Sequence, residues 1–185
     1  MSLHHLTYHC QYRFEAPCAA VFDAAIQPPE QAVDPHLPGG LLSTTPVWGS
    51  PGEAGYQVVA RFSWGTVDLE MTETTLAADR PLKLTVAQRP NRFLPYNPAE
   101  RLPPVDSDVP ARLDRLFDKT YGNPPIITEI TFDFSPLKGG TLVDLSITAR
   151  TSTKPGWLKT RRWNKSVPEE AARILSRIEE ALQVQ

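Results

Sequence analysis

The chain has 185 residues, a length typical of one domain, of which 41% are hydrophobic and 22% charged. This is an ordinary globular composition, so it excludes collagen, a coiled coil or disorder as descriptions of the whole chain. With 19 Lys and Arg against 21 Asp and Glu, the formal net charge is -2, so no overall positive field attracts nucleic acid or an anionic membrane.

The first predicted elements are a strand and a short helix. Apolar and polar residues alternate over 8–14, which is the pattern of a half-buried strand. Pro17 then stands at the start of a predicted helix that ends before Pro28 and Pro29. Residues 30–40 predict a second short helix or an irregular turn, because their prolines and glycines permit nothing longer.

From Leu42 onward the pattern changes to that of strands. Alternating apolar residues predict strands around Trp48 and over 55–63, 67–71 and 82–86. The polar residues of these strands fall on the opposite face. We therefore expect an antiparallel meander with one face in water.

A proline-rich segment over 89–125 interrupts this meander with eight prolines. Proline cannot donate to a sheet ladder, so we expect no sheet interior here. Within the segment, Ser107 or Asp108 caps a predicted amphipathic helix over 108–119, which ends before Gly122. We interpret 89–125 as a surface insertion whose helix is a candidate lid.

The meander resumes with a hairpin, and a helix follows it. Apolar residues alternate over 128–134 and again over 141–149. Ser166 and Glu169 then form the S-x-x-E pattern of a helix N-terminus, and an apolar stripe predicts a long helix over 167–182.

This order of elements predicts an α+β fold. We expect a curved antiparallel sheet of about seven strands wrapped around a long C-terminal helix, with two short helices after the first strand. Seven strands span roughly 34 Å, whereas a helix is only ~10–12 Å wide. Since one helix cannot cover that sheet, we expect an apolar cavity between sheet and helix as the functional site.

The same order resembles the SRPBCC superfamily, the helix-grip fold shared by START domains, polyketide cyclases, pollen-allergen-like proteins and chaperone-ATPase-activator-like proteins. The resemblance is carried by the opening strand with Ala16-Pro17 and Val21-Phe22, the hairpin over 130–145 and the helix over 167–182. It implies one domain over residues 1–185, with a hydrophobic-ligand pocket between sheet and terminal helix. The segment 89–125 departs from it, because such proteins often have a short link there.

Residues on the inferred inward faces are the candidates to line the cavity. Their aromatic rings either fill the core or contact a ligand, and the pattern leaves both open. Tyrosine hydroxyls would orient a ligand carbonyl or hydroxyl. The candidates are Tyr8, Tyr12, Trp48, Tyr56, Phe62, Met71, Glu73, Phe117, Phe132 and Phe134.

Glu73 is the acidic candidate among them. The alternation of its strand puts Glu73 on the inward face, where burial would raise its pKa towards that of a useful acid or base. Alternatively, the strand ends before Glu73 and the carboxylate is solvated. Asp68 and Glu70 fall on the opposite face, where we expect contact with water and a cross-strand partner in Lys83.

Three basic residues are candidates for the cavity rim, namely His36, Arg161 and Arg162. His36 either binds a ligand oxygen at the mouth or is a solvated loop histidine. The stretch 157–165 mixes four cations with two tryptophans, a composition typical of a membrane-surface or nucleic-acid patch, or of a solvated connection. Our interpretation is a cationic rim that attracts the acidic head of an amphiphile.

No apolar stretch approaches the ~20 residues of a membrane span, and we find no signal-peptide pattern, so we expect a cytoplasmic protein. Cys10 and Cys18 lack C-x-x-C spacing and are expected to be apolar fillers. His4, His5 and His9 have no accompanying carboxylate motif, so we expect neither a metal site nor a cofactor.

Common catalytic motifs are absent from the sequence, including G-x-S-x-G, H-E-x-x-H, the P-loop and G-x-G-x-x-G. Our leading hypothesis is binding of a small hydrophobic or lipid-like molecule in the internal cavity, without nucleic acid or stable membrane insertion, by a monomer or homodimer. One alternative is a polyketide cyclase-like or dehydratase-like enzyme, which needs a titratable group such as Glu73 in the cavity. The other is a chaperone-associated interaction protein that docks through 89–125 or 157–165.

Overall fold

The computed structural model describes residues 4–27, 40–63, 67–95, 108–122, 125–151 and 154–183. The predicted α+β architecture is confirmed, with a curved seven-stranded antiparallel sheet and a long helix near the C-terminus. The second short helix predicted over 30–40 falls almost wholly outside the described residues. The elements are β1 (His4–Phe14), α1 (Cys18–Ile26), β2 (Leu41–Trp48), β3 (Gln57–Ser63), β4 (Val67–Asp79), β5 (Lys83–Pro95), α2 (Val109–Tyr121), β6 (Ile127–Leu137), β7 (Gly140–Thr151) and α3 (Trp157–Gln183).

The sheet has the order β1-β7-β6-β5-β4-β3-β2. From β2 to β7, strands that follow one another in the chain are also neighbours in the sheet, as a meander requires. β1 instead pairs with β7 along its whole length, from His4 opposite Thr151 to Phe14 opposite Thr141. The chain between β1 and β2 therefore passes from one edge of the sheet to the other.

The inner face of the sheet packs against α1 and α3 to form the main core. Phe22 of α1 is fully buried and meets Phe134 of β6 edge to face, with 5.6 Å between ring centroids. The apolar stripe predicted for the terminal helix supplies the contacts of α3. The buried members of the main core are Phe14, Val21, Phe22, Ala24, Leu84, Ile130, Phe132, Phe134, Val143, Leu145, Ile147, Val167, Ala171, Ile174, Leu175 and Ile178.

A second core lies at the far end of the β4–β5 hairpin, under α2. Phe117 of α2 is buried against Phe93, whose ring it meets edge to face at 5.6 Å. Because Leu69 lies opposite Phe62 of β3, this cluster occupies the same face of the sheet as the interior row of β3. The second core consists of Val67, Leu69, Phe93 and Phe117, with Met71, Leu113 and Tyr121 packed against it.

The terminal helix α3 begins at Trp157, well before the predicted cap at Ser166, which lies inside the helix. Residues 157–165 contain neither Gly nor Pro and include two Lys, two Arg and one Leu, which favour helix. Trp163 packs on the main core one turn before Val167, so the buried stripe continues upstream. This packing offsets the cost of Pro168 within the helix, ~3 kcal/mol in an ordinary interior.

Strand β5 runs seven residues into the predicted insertion, to Pro95. Its pairing with β6 ends at Gln88 opposite Thr128, whereas its pairing with β4 continues. The missing N–H of Pro90 thus falls where β5 has a strand partner on one side, a position that proline tolerates.

The ion pairs on the outer face differ from those we expected. Lys83 does not bind Asp68 or Glu70, because it lies opposite Asp79 at the other end of β4 and opposite Asp133 of β6. Asp68 is 4% exposed rather than solvated. Burial raises the pKa of the Asp68 carboxyl, and the nearby Arg61 guanidinium opposes that shift. The residues named in the prediction instead form the pairs Asp68–Arg61 at 2.8 Å, Glu70–Arg92 at 3.1 Å and Lys83–Asp133 at 3.6 Å.

Replacing Arg61 by methionine should lower the free energy of unfolding by about 2 kcal/mol at neutral pH, because it leaves a buried carboxylate without its cation. The loss is below the ~3–5 kcal/mol of a fully buried pair, since the Arg61 side chain is 39% exposed. The loss should shrink as the pH falls through the pKa of Asp68, because a protonated carboxyl needs no cation. Urea denaturation at several pH values measures this.

The matched control is Arg92→Met, which removes the cation of the Glu70 pair. The Arg92 side chain is 60% exposed, so its loss should cost less than about 1 kcal/mol. Equal losses in the two variants would contradict a special role for the buried Asp68.

Candidate functional site

A pocket lies on the inner face of the sheet, next to the main core. Strands β2 to β6 form its floor, and the end of α1, the β2–β3 loop and α3 form its walls. Leu84, Ile130, Phe132 and Ile174 belong both to the main core and to the lining of the pocket. The other described residues that line the pocket are Ala25, Ile26, Gln27, Thr44, Gly52, Tyr56, Val58, Ala60, Phe62, Glu73, Thr75, Val86, Gln88 and Arg177.

The pocket has a volume of about 90 Å³. An apolar cavity of ~150 Å³ holds benzene, and sites for drug-sized ligands measure ~300–1,000 Å³. The space therefore fits a compact molecule or one end of a longer one. Part of the inner face is covered by α1 and α2 as well as by α3.

Two of the described residues that line the pocket are polar and exposed, namely Gln27 at the end of α1 and Arg177 of α3. Gly52 in the β2–β3 loop has a φ of +81°, which favours glycine. A Cβ at Gly52 would lie 2.8 Å from Cδ1 of Ile26. The absence of a side chain thus lets this loop approach α1 and close one side of the pocket.

Glu73 supplies the acidic group of the pocket. It lies on β4 directly opposite Gln88 of β5, whose Nε2 donates a hydrogen bond to Oε1 of Glu73 over 2.8 Å. Burial raises the pKa of Glu73, while the hydrogen bond from Gln88 and the charge of Arg177 act to lower it, and Glu170 raises it further. Since β4 continues to Asp79, the alternative that the strand ends before Glu73 is wrong.

Four predicted cavity residues line this pocket, namely Tyr56, Phe62, Glu73 and Phe132. Five others belong to the two cores or pack against them. They are Tyr8, Tyr12 and Phe134 at the main core, and Met71 and Phe117 at the second core. His36 lies outside the described residues.

Trp48 is 63% exposed, contrary to its prediction as an inward residue. The pairing of β2 with β3 shifts register between Pro46 and Trp48. This irregularity places Trp48 opposite Gln57 rather than on the row of Val58, because a slip of one residue reverses the face of a side chain.

The predicted rim residues Arg161 and Arg162 do not line the pocket within the described part of the chain, whereas Arg177 does. Fifteen residues separate Arg162 from Arg177, which is about 22 Å along an ideal helix. Sequence reasoning missed Arg177 and also Gln88. The signal for Gln88 was present, because it continues the inward alternation of Leu84 and Val86.

The chemistry available in the pocket is hydrogen bonding and proton transfer at Glu73, with Arg177 as a nearby cation. Among the described residues, no three His, Cys, Asp or Glu side chains come together in a way that would hold a metal ion. No helix in the described ranges is both long enough and apolar enough to cross a bilayer.

Comparison with solved structures shows that the chain has the helix-grip fold. Ara h 8.0201, a Bet v 1-like helix-grip protein, has a TM-score of 0.62 at 13% identity, with 98% of this chain and 100% of that chain covered. An uncharacterized protein from Rhizobium leguminosarum has a TM-score of 0.59 at 13% identity, with 100% and 98% covered. The protein TTHA0849 from Thermus thermophilus has a TM-score of 0.56 at 17% identity, with 97% and 98% covered. No family model and no curated protein sequence matches the chain.

Proposed function

We propose that the protein binds a small, mostly apolar molecule in this pocket and holds a polar group of that molecule at Glu73. The observation that carries the proposal is a carboxyl placed among apolar walls. Its Oε1 accepts a hydrogen bond from Gln88, and Oε2 has no hydrogen-bond partner among the described residues. Because Glu73 lines the pocket, an oxygen without a protein partner is free to bind a polar group of a ligand.

The charge state of Glu73 decides which ligand group it binds. When protonated, the carboxyl donates to a carbonyl or ether oxygen, and when ionised it accepts from a hydroxyl or amide. Val58, Phe62 and Val86 supply the apolar contacts around that group. The favoured ligand is therefore a compact apolar body with one hydrogen-bonding group.

Native mass spectrometry of protein purified from its own host tests this proposal. We expect a bound small molecule in the wild-type protein and its loss in Ala60→Leu, which places an isobutyl group at the pocket wall. The matched control is Ala111→Leu on the exposed side of α2, which should keep the bound mass. A bound mass that persists in both variants would show that the molecule binds elsewhere.

The position of Glu73 also favours an enzyme as the second candidate. A carboxyl with a raised pKa is suited to general acid or base catalysis, and the cyclase-like and dehydratase-like reactions considered above require such a group. Glu73→Gln separates the candidates, because it keeps the size of the side chain but cannot transfer a proton. Turnover would be lost in this variant, whereas a binding protein would change only in affinity. The chaperone-associated role and the lid role of α2 stay predictions.

The pKa of Glu73 should respond in opposite directions to its two charged neighbours. Arg177→Gln should raise the pKa above the wild-type value, because it removes a cation that stabilises the carboxylate. Glu170→Gln should lower it, because it removes a repelling anion. Carboxyl ¹³C NMR titration of the three proteins measures these shifts, and shifts of the same sign would contradict this electrostatic arrangement.

The raised pKa also predicts a pH dependence of stability. Because folded Glu73 retains its proton to higher pH than the unfolded chain, stability should decline as the pH rises from the ordinary glutamate pKa through the folded value. Glu73→Gln should remove the contribution of Glu73 and leave that of Asp68, whose pKa is also raised.

A further inference from the structure

The first two turns of α3 carry an exposed surface that the pocket does not use. Leu158, Arg161, Arg162 and Lys165 follow the spacing i, i+3, i+4, i+7, so they share one side of the helix. All four are exposed. We call them the α3 basic face. Together with Trp157 they lie roughly 18–30 Å along the helix from Arg177, which lines the pocket.

This surface concentrates apolar exposure. Trp157 is 70% exposed and Leu158 is 65% exposed, the highest values among the large hydrophobic side chains of the described residues. Trp163, by contrast, packs on the main core. Trp163 therefore contributes to the packing of the main core, whereas Trp157 and Leu158 are exposed to solvent.

The same stretch concentrates unpaired positive charge. Residues 154–168 contain five of the 19 Lys and Arg of the chain and none of its 21 Asp and Glu. Within the described ranges, none of these five cations forms an ion pair, whereas five arginines elsewhere do. A net positive segment thus stands out from a chain whose formal charge is -2. Its five cations are Lys154, Lys159, Arg161, Arg162 and Lys165.

Charge and apolar groups are also directly combined. The guanidinium of Arg161 lies over the Trp157 ring, 5.5 Å from its centroid, a cation–π contact. An indole beside cations is suited to the boundary between lipid headgroups and acyl chains. Nucleic acid would match the cations, but it offers Leu158 no apolar environment.

We propose that the α3 basic face, with Trp157, binds the surface of an anionic lipid bilayer. Trp157 and Leu158 enter the headgroup boundary, and Arg161, Arg162 and Lys165 lie against lipid phosphates. Because the opposite side of α3 packs on the main core, the helix lies along the membrane surface without leaving the domain. This inference does not depend on the proposed function of the pocket.

Cosedimentation of the full chain with lipid vesicles tests the proposal. We expect binding to phosphatidylcholine vesicles containing about 30% phosphatidylserine, weakened by salt, and little binding to pure phosphatidylcholine. Arg161→Gln/Arg162→Gln should weaken binding by about 30-fold, since each cation near an anionic surface contributes about fivefold. The matched control, Arg112→Gln/Arg115→Gln, removes two exposed arginines of α2 and should bind like the wild type.

A second variant tests the apolar part of the contact. Trp157→Ser/Leu158→Ser keeps every charge and should still weaken vesicle binding at least about tenfold, because it removes the groups that enter the bilayer. Absence of vesicle binding by the wild type, or equal loss in both arginine variants, would overturn the proposal. Tighter binding to a single-stranded oligonucleotide than to the anionic vesicles would assign the surface to nucleic acid instead.

Discussion

Replacing Phe22 by alanine should lower the free energy of unfolding by about 4 kcal/mol. Phe22 is fully buried. The substitution therefore removes all packing contacts of the phenyl ring and leaves a cavity in the main core. It also removes the edge-to-face contact with Phe134 and weakens the attachment of α1 to the main core. Urea denaturation followed by circular dichroism measures the loss.

The matched control deletes the same atoms at the pocket. Phe62 is half-buried and faces space that is already open, so Phe62→Ala should cost only about 1–2 kcal/mol. Losses of similar size in the two variants would indicate that the space beside Phe62 is packed, and would therefore contradict the presence of a pocket there.

Phe117→Ala should be the next most damaging substitution, with a loss of about 3 kcal/mol. Phe117 is 8% exposed, and its ring contacts the rings of both Phe93 and Tyr121. Its removal should detach α2 from the β4–β5 hairpin and expose Tyr121. Burial raises the pKa of Tyr121 to about 12, so this pKa should fall in the variant, as ultraviolet titration of the tyrosinate can measure.

Leu116→Ala is the control for Phe117→Ala. The two residues are adjacent in α2, but Leu116 is 44% exposed, so its truncation should change stability by less than about 1 kcal/mol. Hydrogen exchange of the α2 amides should rise in Phe117→Ala and stay unchanged in Leu116→Ala. Unchanged exchange in both would show that Phe117 does not hold α2 in place.

The strands were predictable because the sheet has one polar and one apolar face. Because of this asymmetry, apolar and polar residues alternate over 8–14, 128–134 and 141–149. The structure has strands over all three ranges. The start of α3 was less predictable. Ser166 and Glu169 have the spacing of a capping box, but tertiary contacts of Trp163 extend the helix past that local signal.

The site was predictable where alternation continues without a break. Phe62 and Glu73 lie where counting along β3 and β4 places them. Counting failed at Trp48, because the register shift in β2 leaves no mark in the pattern of apolar residues. The alternation also could not show whether Met71 lines the pocket or packs in a core. That depends on the position of α2, which is set by long-range contacts of Phe117.

Methyl NMR with propan-2-ol as the probe tests the central claim most directly, because this molecule is smaller than benzene and has an apolar body and one hydroxyl. Addition of propan-2-ol should shift the methyl signals of Val58, Val86 and Ile174, which line the pocket. The signals of Val67 in the second core should not move, and Glu73→Gln should alter the affinity. Shifts that are absent from the pocket methyls, or spread equally to Val67, would contradict a binding pocket centred on Glu73.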